Sequence, residues 1–265
     1  MIDHFSPIGF RIKSEDHLLN LMKRAEEDSE VVSTPKGTYF RWSGESGAEL
    51  WLQGDRRNRF IGGSPHFSGT SQTKIGLAAR VKRPDDNALE GAFRAWAEPS
   101  LEDPESGIYP FVFDAPDFAV YSDVQLPSLA TASISAFAEE IAVYDSAESF
   151  LVSQSGEHKI AAQSFFPLGL FPDEERRTTS LEARAMFSGH VLDAERRVNR
   201  LSLETFIWVL VETFGGAYDV VFASNMLDEV PVEGNLVSGT FWLSGRLLEY
   251  DRQEPRGLKS FLRRR

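Results

Sequence analysis

"GAELWLQGDRRNRFIGGSPHFSGTSQ", residues 47–72, joins two patterns in one stretch. Ala48, Leu50 and Leu52 alternate with Glu49, Trp51 and Gln53, which is the period-two signature of a β-strand. The first set is a core face. The second set carries an acid, an indole and an amide. It reads either as a ligand surface or as the solvent side of an antiparallel sheet, the commoner arrangement. A basic turn follows with Arg56, Arg57 and Arg59, then a loop with Ser64, His66, Ser68, Thr70 and Ser71 among glycines. Freed backbone amides, hydroxyls and guanidiniums are what an anion site requires. The spacing is neither that of a P-loop nor that of a dinucleotide fingerprint, and plain turn-rich connections have the same composition.

Upstream, "SPIGFRI" alternates and predicts a strand, with Ile8, Phe10 and Ile12 on one side. "SEDHLLNLMKRAEED" predicts a helix with Ser14 as N-cap and Leu18, Leu21, Met22 and Ala25 on one stripe. "STPKGTYFRW", "AELWLQ" and "NRFIGG" add three strands, so the opening order is β-α-β-β-β. "NALEGAFRAWA" has apolar residues at helical spacing but also fits a strand. Residues 98–110 hold three prolines and predict a loop, and 172–180 predicts a linker. Beyond it come five strand-like runs: "ARAMFSGHVLDAERR", "ETFIWVLVET", "AYDVVFA", "NLVSGTFW" and "LSGRLLEY". Five short strands in about 70 residues is the size of an OB-like barrel. Residues 206–211 are apolar on both faces, which calls for cover on both sides, supplied by the N-terminal module. The expected architecture is α+β: a βαβββ-type domain over 1–175, a small five-stranded OB-like β-barrel over 180–252, and a basic tail over 253–265.

The net charge of −12 argues against a polyanionic partner. Between Leu201 and Tyr250 seven acids face the single base Arg246, a net of −6. The absence of cysteine removes disulfides and thiolate chemistry, and any metal would need His and carboxylate ligands. No signal peptide and no membrane-length apolar run is present, which gives the expectation of a cytoplasmic protein. No G-x-S-x-G elbow is present.

The β-α-β-β-β order, with His4 in "IDHF" and Glu49 in "GAELWL", resembles one module of the vicinal oxygen chelate (glyoxalase-like) superfamily. That resemblance implies a divalent metal held by His4 and Glu49. It covers about 65 residues, and its second copy, "IAVYDSAESFL", lacks the matching His and Glu. Along most of its length the chain resembles an uncharacterised bacterial protein family, in "FSPIGF", "GAELWLQ", "PHFSG" and "SGTFWLSGRL". This second resemblance implies no activity.

The candidate ligand-binding residues are Glu49, Trp51, Gln53 and His66, with Trp242 and Arg246 on one face of the run 239–247. The first expectation is a non-catalytic binding or interaction protein, without cofactor, whose partner is a protein or a small molecule. The alternative is a metal-dependent enzyme using His4 and Glu49. Single-stranded nucleic-acid binding through Trp242 and Arg246 is a third, disfavoured by charge.

Overall fold

The structure is a computed structural model that describes residues 4–155, 159–171 and 180–252. The expected tail at 253–265, and all of the expected linker except Ser180, lie outside the described residues. The chain is mixed α+β and mostly sheet. No helix among the described residues is long and apolar enough to cross a membrane.

Ser14 caps α1 (Glu15–Glu27), its hydroxyl accepting from the His17 backbone N–H. The stripe of Leu21, Met22 and Ala25 is buried. Before it, the predicted strand is replaced by a short 3-10 turn at Ser6–Ile8. Pro7 sits at its start, and Gly9 closes it at φ 82°, a left-handed conformation that ends extended structure. After α1 come β1 (Glu30–Thr34), β2 (Gly37–Ser43), β3 (Ala48–Gly54) and β4 (Phe60–Phe67), an antiparallel sheet in sequential order. The observed order is thus α-β-β-β-β.

The remaining strands form one nine-stranded sheet: β5 (Thr73–Val81), β6 (Ala92–Ala97), β7 (Tyr109–Asp114), β8 (Ser128–Tyr144), β9 (Ser164–Phe166), β10 (Arg184–Val198), β11 (Thr205–Thr213), β12 (Gly216–Ala223) and β13 (Leu236–Tyr250). Of the stretch 87–97, whose spacing also fitted a helix, residues 92–97 form the strand β6 and 87–91 precede it. A short helix, α2 (Ala147–Ser153), follows β8 and is capped by Ser146.

Strands β8 and β13 pair antiparallel along almost their whole length. Pairing runs from β8 through β12, β11 and β10 to β13 and back to β8, a closed five-strand circuit. A second circuit, β8-β5-β6-β7-β13, closes through the single bridge Ser244–Asp114. Among the described residues the strands after residue 180 number four, because "NLVSGTFW" and "LSGRLLEY" are one strand, β13. Their circuit is completed by β8, so strands from both sides of residue 175 share one sheet.

Two large apolar clusters and a small third one, Tyr39, Trp51, Leu89 and Ala119, divide the interior. Of the two large ones, one fills the circuits with Phe93, Phe111, Phe113, Phe187, Tyr218, Phe241 and their neighbours. The other joins α1 and the core face of β3 to the large sheet through Phe67, Phe206, Trp208 and Trp242. Strand β11 divides its side chains between them, Ile207 and Val209 to the first, Phe206 and Trp208 to the second. The cover expected for residues 206–211 is in place.

Candidate functional site

Strand β3 is buried on both faces. Ala48, Leu50 and Leu52 belong to the cluster with Leu21 and Met22 of α1. The opposite face is not solvated: Glu49 is 0% exposed, Trp51 1% and Gln53 1%. Antiparallel register sets Glu49 opposite His66, Trp51 opposite Ser64 and Gln53 opposite Gly62 on β4, and Arg41 of β2 opposite Trp51. Residues opposite one another share a face, so these groups form one polar layer.

The layer packs on the large sheet. The His66 Nδ1 lies 2.8 Å from the Ser244 hydroxyl of β13. The Ser135 hydroxyl donates to the Phe67 carbonyl at 2.6 Å. Arg246 lies with its guanidinium carbon 4.7 Å from the Trp51 ring centre, within cation–π reach, while its Nε donates to Asp117 at 2.9 Å. The Trp51 indole donates to Glu49 Oε2 at 2.8 Å, and Arg41 Nε donates to Glu49 Oε1 at 3.2 Å. Gln53 accepts from the Asn87 amide at 2.7 Å. Two guanidiniums thus face two carboxylates in a buried layer, an arrangement burial permits only when charges are paired.

Burial pushes the Glu49 carboxyl up, but His66, Arg41 and Arg246 outweigh it and hold the group below its ordinary value. Burial also lowers the His66 imidazole to about 4, with Arg246 and Arg41 adding to the effect and Glu49 opposing it. Burial raises Asp117, against the pull of Arg246.

The loop after β4 has the anion-binding chemistry read from its sequence, and the anion is internal. Asp219 of β12, fully buried, accepts from the backbone N–H groups of Thr70 (3.1 Å) and Ser71 (2.8 Å), from the Ser71 hydroxyl, and from the Trp208 indole (2.7 Å). A Cβ on Gly69 would stand 2.0 Å from the Asp219 carboxyl carbon. Gly69→Ala is therefore expected to destabilise the fold by about 1–3 kcal/mol, the usual range for overpacking. A denaturant melt checks it, and an unchanged midpoint would refute the clamp. The arginines of the basic turn go elsewhere: Arg56 donates to the Pro35 carbonyl and Arg59 pairs with Asp55.

The two residues of the alternative metal pair have different partners. His4 stacks on Trp242 with ring centres 4.3 Å apart and lies 3.8 Å from Glu139, whereas Glu49 serves Arg41 and Trp51. Among the described residues no group of three or more His, Asp or Glu is placed to hold a metal ion. Trp242 is turned inward, its indole donating to Asp114 at 2.7 Å. Trp242 and Arg246 are each committed to an aspartate rather than presented for base stacking.

At the Gln53 end the polar layer opens into a cleft of about 550 Å³. Gln53 and Ser64 form one wall. The β5–β6 connection supplies Arg83, Asp85, Asp86 and Glu90, and Asp114 and Glu182 complete the charged lining. Arg83 is held by Asp114 at 2.7 Å and by the Leu181 carbonyl at 2.8 Å. Of the six residues expected to bind a ligand, Gln53 lines the cleft and Trp242 touches it through Asp114. Glu49, Trp51, His66 and Arg246 converge in the buried layer behind it. Sequence reading missed the β5–β6 carboxylates. "KRPDDNALEG" offered a signal in its paired aspartates beside a turn, but nothing in one dimension sets them opposite Gln53.

Comparison with family models, with curated proteins and with solved structures finds no match to this chain.

Proposed function

We propose that this chain is a binding protein, without catalysis of its own, whose ligand is a small polar molecule carrying positive charge. The observation that carries the proposal is the cleft at the Gln53 end of the layer, where, among the described residues, the carboxylates of Asp85, Asp86, Glu90 and Asp114 stand around the guanidinium of Arg83. A volume of about 550 Å³ falls in the range of small-ligand sites. A surplus of carboxylates concentrates cations and repels anions. The polar donors of Gln53 and Ser64 would fix orientation.

The absence of catalysis is supported by the state of the reactive types. Ser244, His66 and Glu49 bring a hydroxyl, an imidazole and a carboxylate together, as a hydrolase requires. Here all three are buried, and both oxygens of Glu49 are engaged by Arg41 and Trp51 rather than orienting His66. No substrate reaches them.

Calorimetric titration at low salt, with spermidine as the cation and citrate as the control anion, tests the proposal. Spermidine is expected to bind one-to-one and citrate not at all. The double variant Asp85→Asn, Glu90→Gln should weaken spermidine by about tenfold, given up to ~1 kcal/mol for each exposed charge contact. No heat with spermidine, or equal affinity in the double variant, would overturn it.

A further inference from the structure

We propose that the ligand of the cleft carries a carboxylate as well as its positive charge, Arg83 taking the carboxylate and Glu90 the cation, so that its chemical class is that of a basic amino acid. The proposal rests on the binding cleft argued above and names the ligand class of that site.

Arg83 is held from several directions. Its backbone N–H donates to Asp86 at 2.7 Å and its carbonyl accepts from the Asp86 N–H at 3.1 Å, which closes the turn that carries it. Its Nε donates to the Leu181 carbonyl at 2.8 Å, and its Nη1 donates to Asp114 at 2.7 Å. Asp114 is fixed in turn, since its other oxygen accepts from the Trp242 indole at 2.7 Å. The Nη2 has no hydrogen-bond partner among the described residues, yet it is not among the buried unpaired atoms, and the side chain lines the cleft. Two nitrogens lock the guanidinium and the third is presented. A planar guanidinium matches a carboxylate in shape and charge, and one already held in place does not have to be ordered by the ligand.

The opposite charge is placed as firmly. Glu90 Oε2 accepts from the Asn87 backbone N–H at 3.0 Å, and the Asn87 amide donates to Gln53 at 2.7 Å. Between them the Leu89 carbonyl accepts from the Tyr39 hydroxyl at 2.5 Å. A Cβ on Gly62 would stand 3.3 Å from Glu90 Oε1 and 2.8 Å from Gln53 Oε1, so a carboxylate oxygen and an amide oxygen converge at that glycine. Two converging acceptors suit an ammonium. The neighbouring Lys82 is spent on the Asn87 and Glu90 carbonyls, 2.6 Å from each. A ligand with positive charge alone would leave Arg83 Nη2 facing a like charge. An anion alone would meet the surplus of acids. A molecule bearing both groups satisfies both.

Calorimetry with L-lysine, cadaverine and L-lysinamide tests the carboxylate alone, because the three share one carbon chain and its ammonium. L-Lysine is expected to bind about tenfold tighter than either of the others, although its net charge is lower, as one charged hydrogen bond would give. In Arg83→Gln that preference should vanish while cadaverine binds no more weakly. If the variant fails to fold, the Arg83 side-chain resonances of the wild type replace it, and they should shift with L-lysine and not with cadaverine. Cadaverine binding as tightly as L-lysine, a preference retained in Arg83→Gln, or Arg83 resonances that ignore L-lysine would each overturn the proposal. Spermidine or cadaverine binding without any gain from the carboxylate would leave the cation-binding reading standing and this one refuted. Binding of none of them would refute both.

Discussion

Asp219→Ala is expected to lower the thermal midpoint by roughly 10 °C, a loss of about 3–5 kcal/mol at the few degrees per kcal/mol of a chain this size. The cost follows from what is left behind. The carboxylate receives the Thr70 and Ser71 backbone N–H groups, the Ser71 hydroxyl and the Trp208 indole, and the Ser71 and Trp208 contacts are buried. Each buried donor left unsatisfied costs about 1–3 kcal/mol, and the loop also loses its tie to β12. Asp219→Asn should fall between, because the amide keeps one acceptor oxygen but turns an NH₂ toward N–H donors. Differential scanning calorimetry on the three proteins measures it. An alanine variant within 2 °C of wild type, less than the shift of about 1 kcal/mol, would mean that the loop is held by something else.

The second large effect is acid destabilisation through His66. Its folded value of about 4 lies below the unfolded 6.5, so the unfolded chain binds a proton that the folded chain refuses. Stability is therefore complete above about 6.5 and is lost as pH falls toward about 4, where the deficit reaches about 3 kcal/mol. The lowered Glu49 works in the same sense at the acid end, since protonation of that paired carboxylate favours unfolding. Asp117 works in the opposite sense, because a raised carboxyl is neutralised more easily in the folded state. The difference between wild type and His66→Gln isolates the imidazole. Urea melts across that pH range should show a steeper loss of stability with falling pH in the wild type than in the variant, the difference reaching about 3 kcal/mol near pH 4. Parallel curves would show that His66 carries no such linkage.

How much of this was legible in one dimension depends on sequence distance. The α1 stripe, the Ser14 cap, the core face of β3 and the double burial of β11 all follow from local periodicity, and the structure has them. The other face of β3 could not be placed, because its cover comes from residues distant in sequence, Asn87 on Gln53, Leu89 and Ala119 beside Trp51, and Arg246 over the Trp51 ring. Alternation tells a strand that it has two faces. It does not tell which neighbour covers the second. Likewise the loop at 68–71 reads either as an anion site or as a plain turn, and what its amides and hydroxyl meet is the carboxylate of Asp219, 148 residues beyond Ser71. The predicted first strand failed for a local reason, since Pro7 and left-handed Gly9 make a 3-10 turn of an alternating pattern. The adjoining runs 235–242 and 243–250 are one strand, β13, and its small residues Ser244 and Gly245 meet the buried His66 and the aromatic Phe113.

An amide-resolved NMR titration with spermidine probes the cleft at the end of the polar layer. Shifts are expected at Gln53, Ser64, the Arg83–Gly91 segment and Asp114–Ala115, saturating at one equivalent, with Tyr250 and the other surfaces unmoved. Shifts centred elsewhere, or none at saturating spermidine, would contradict the proposed binding site.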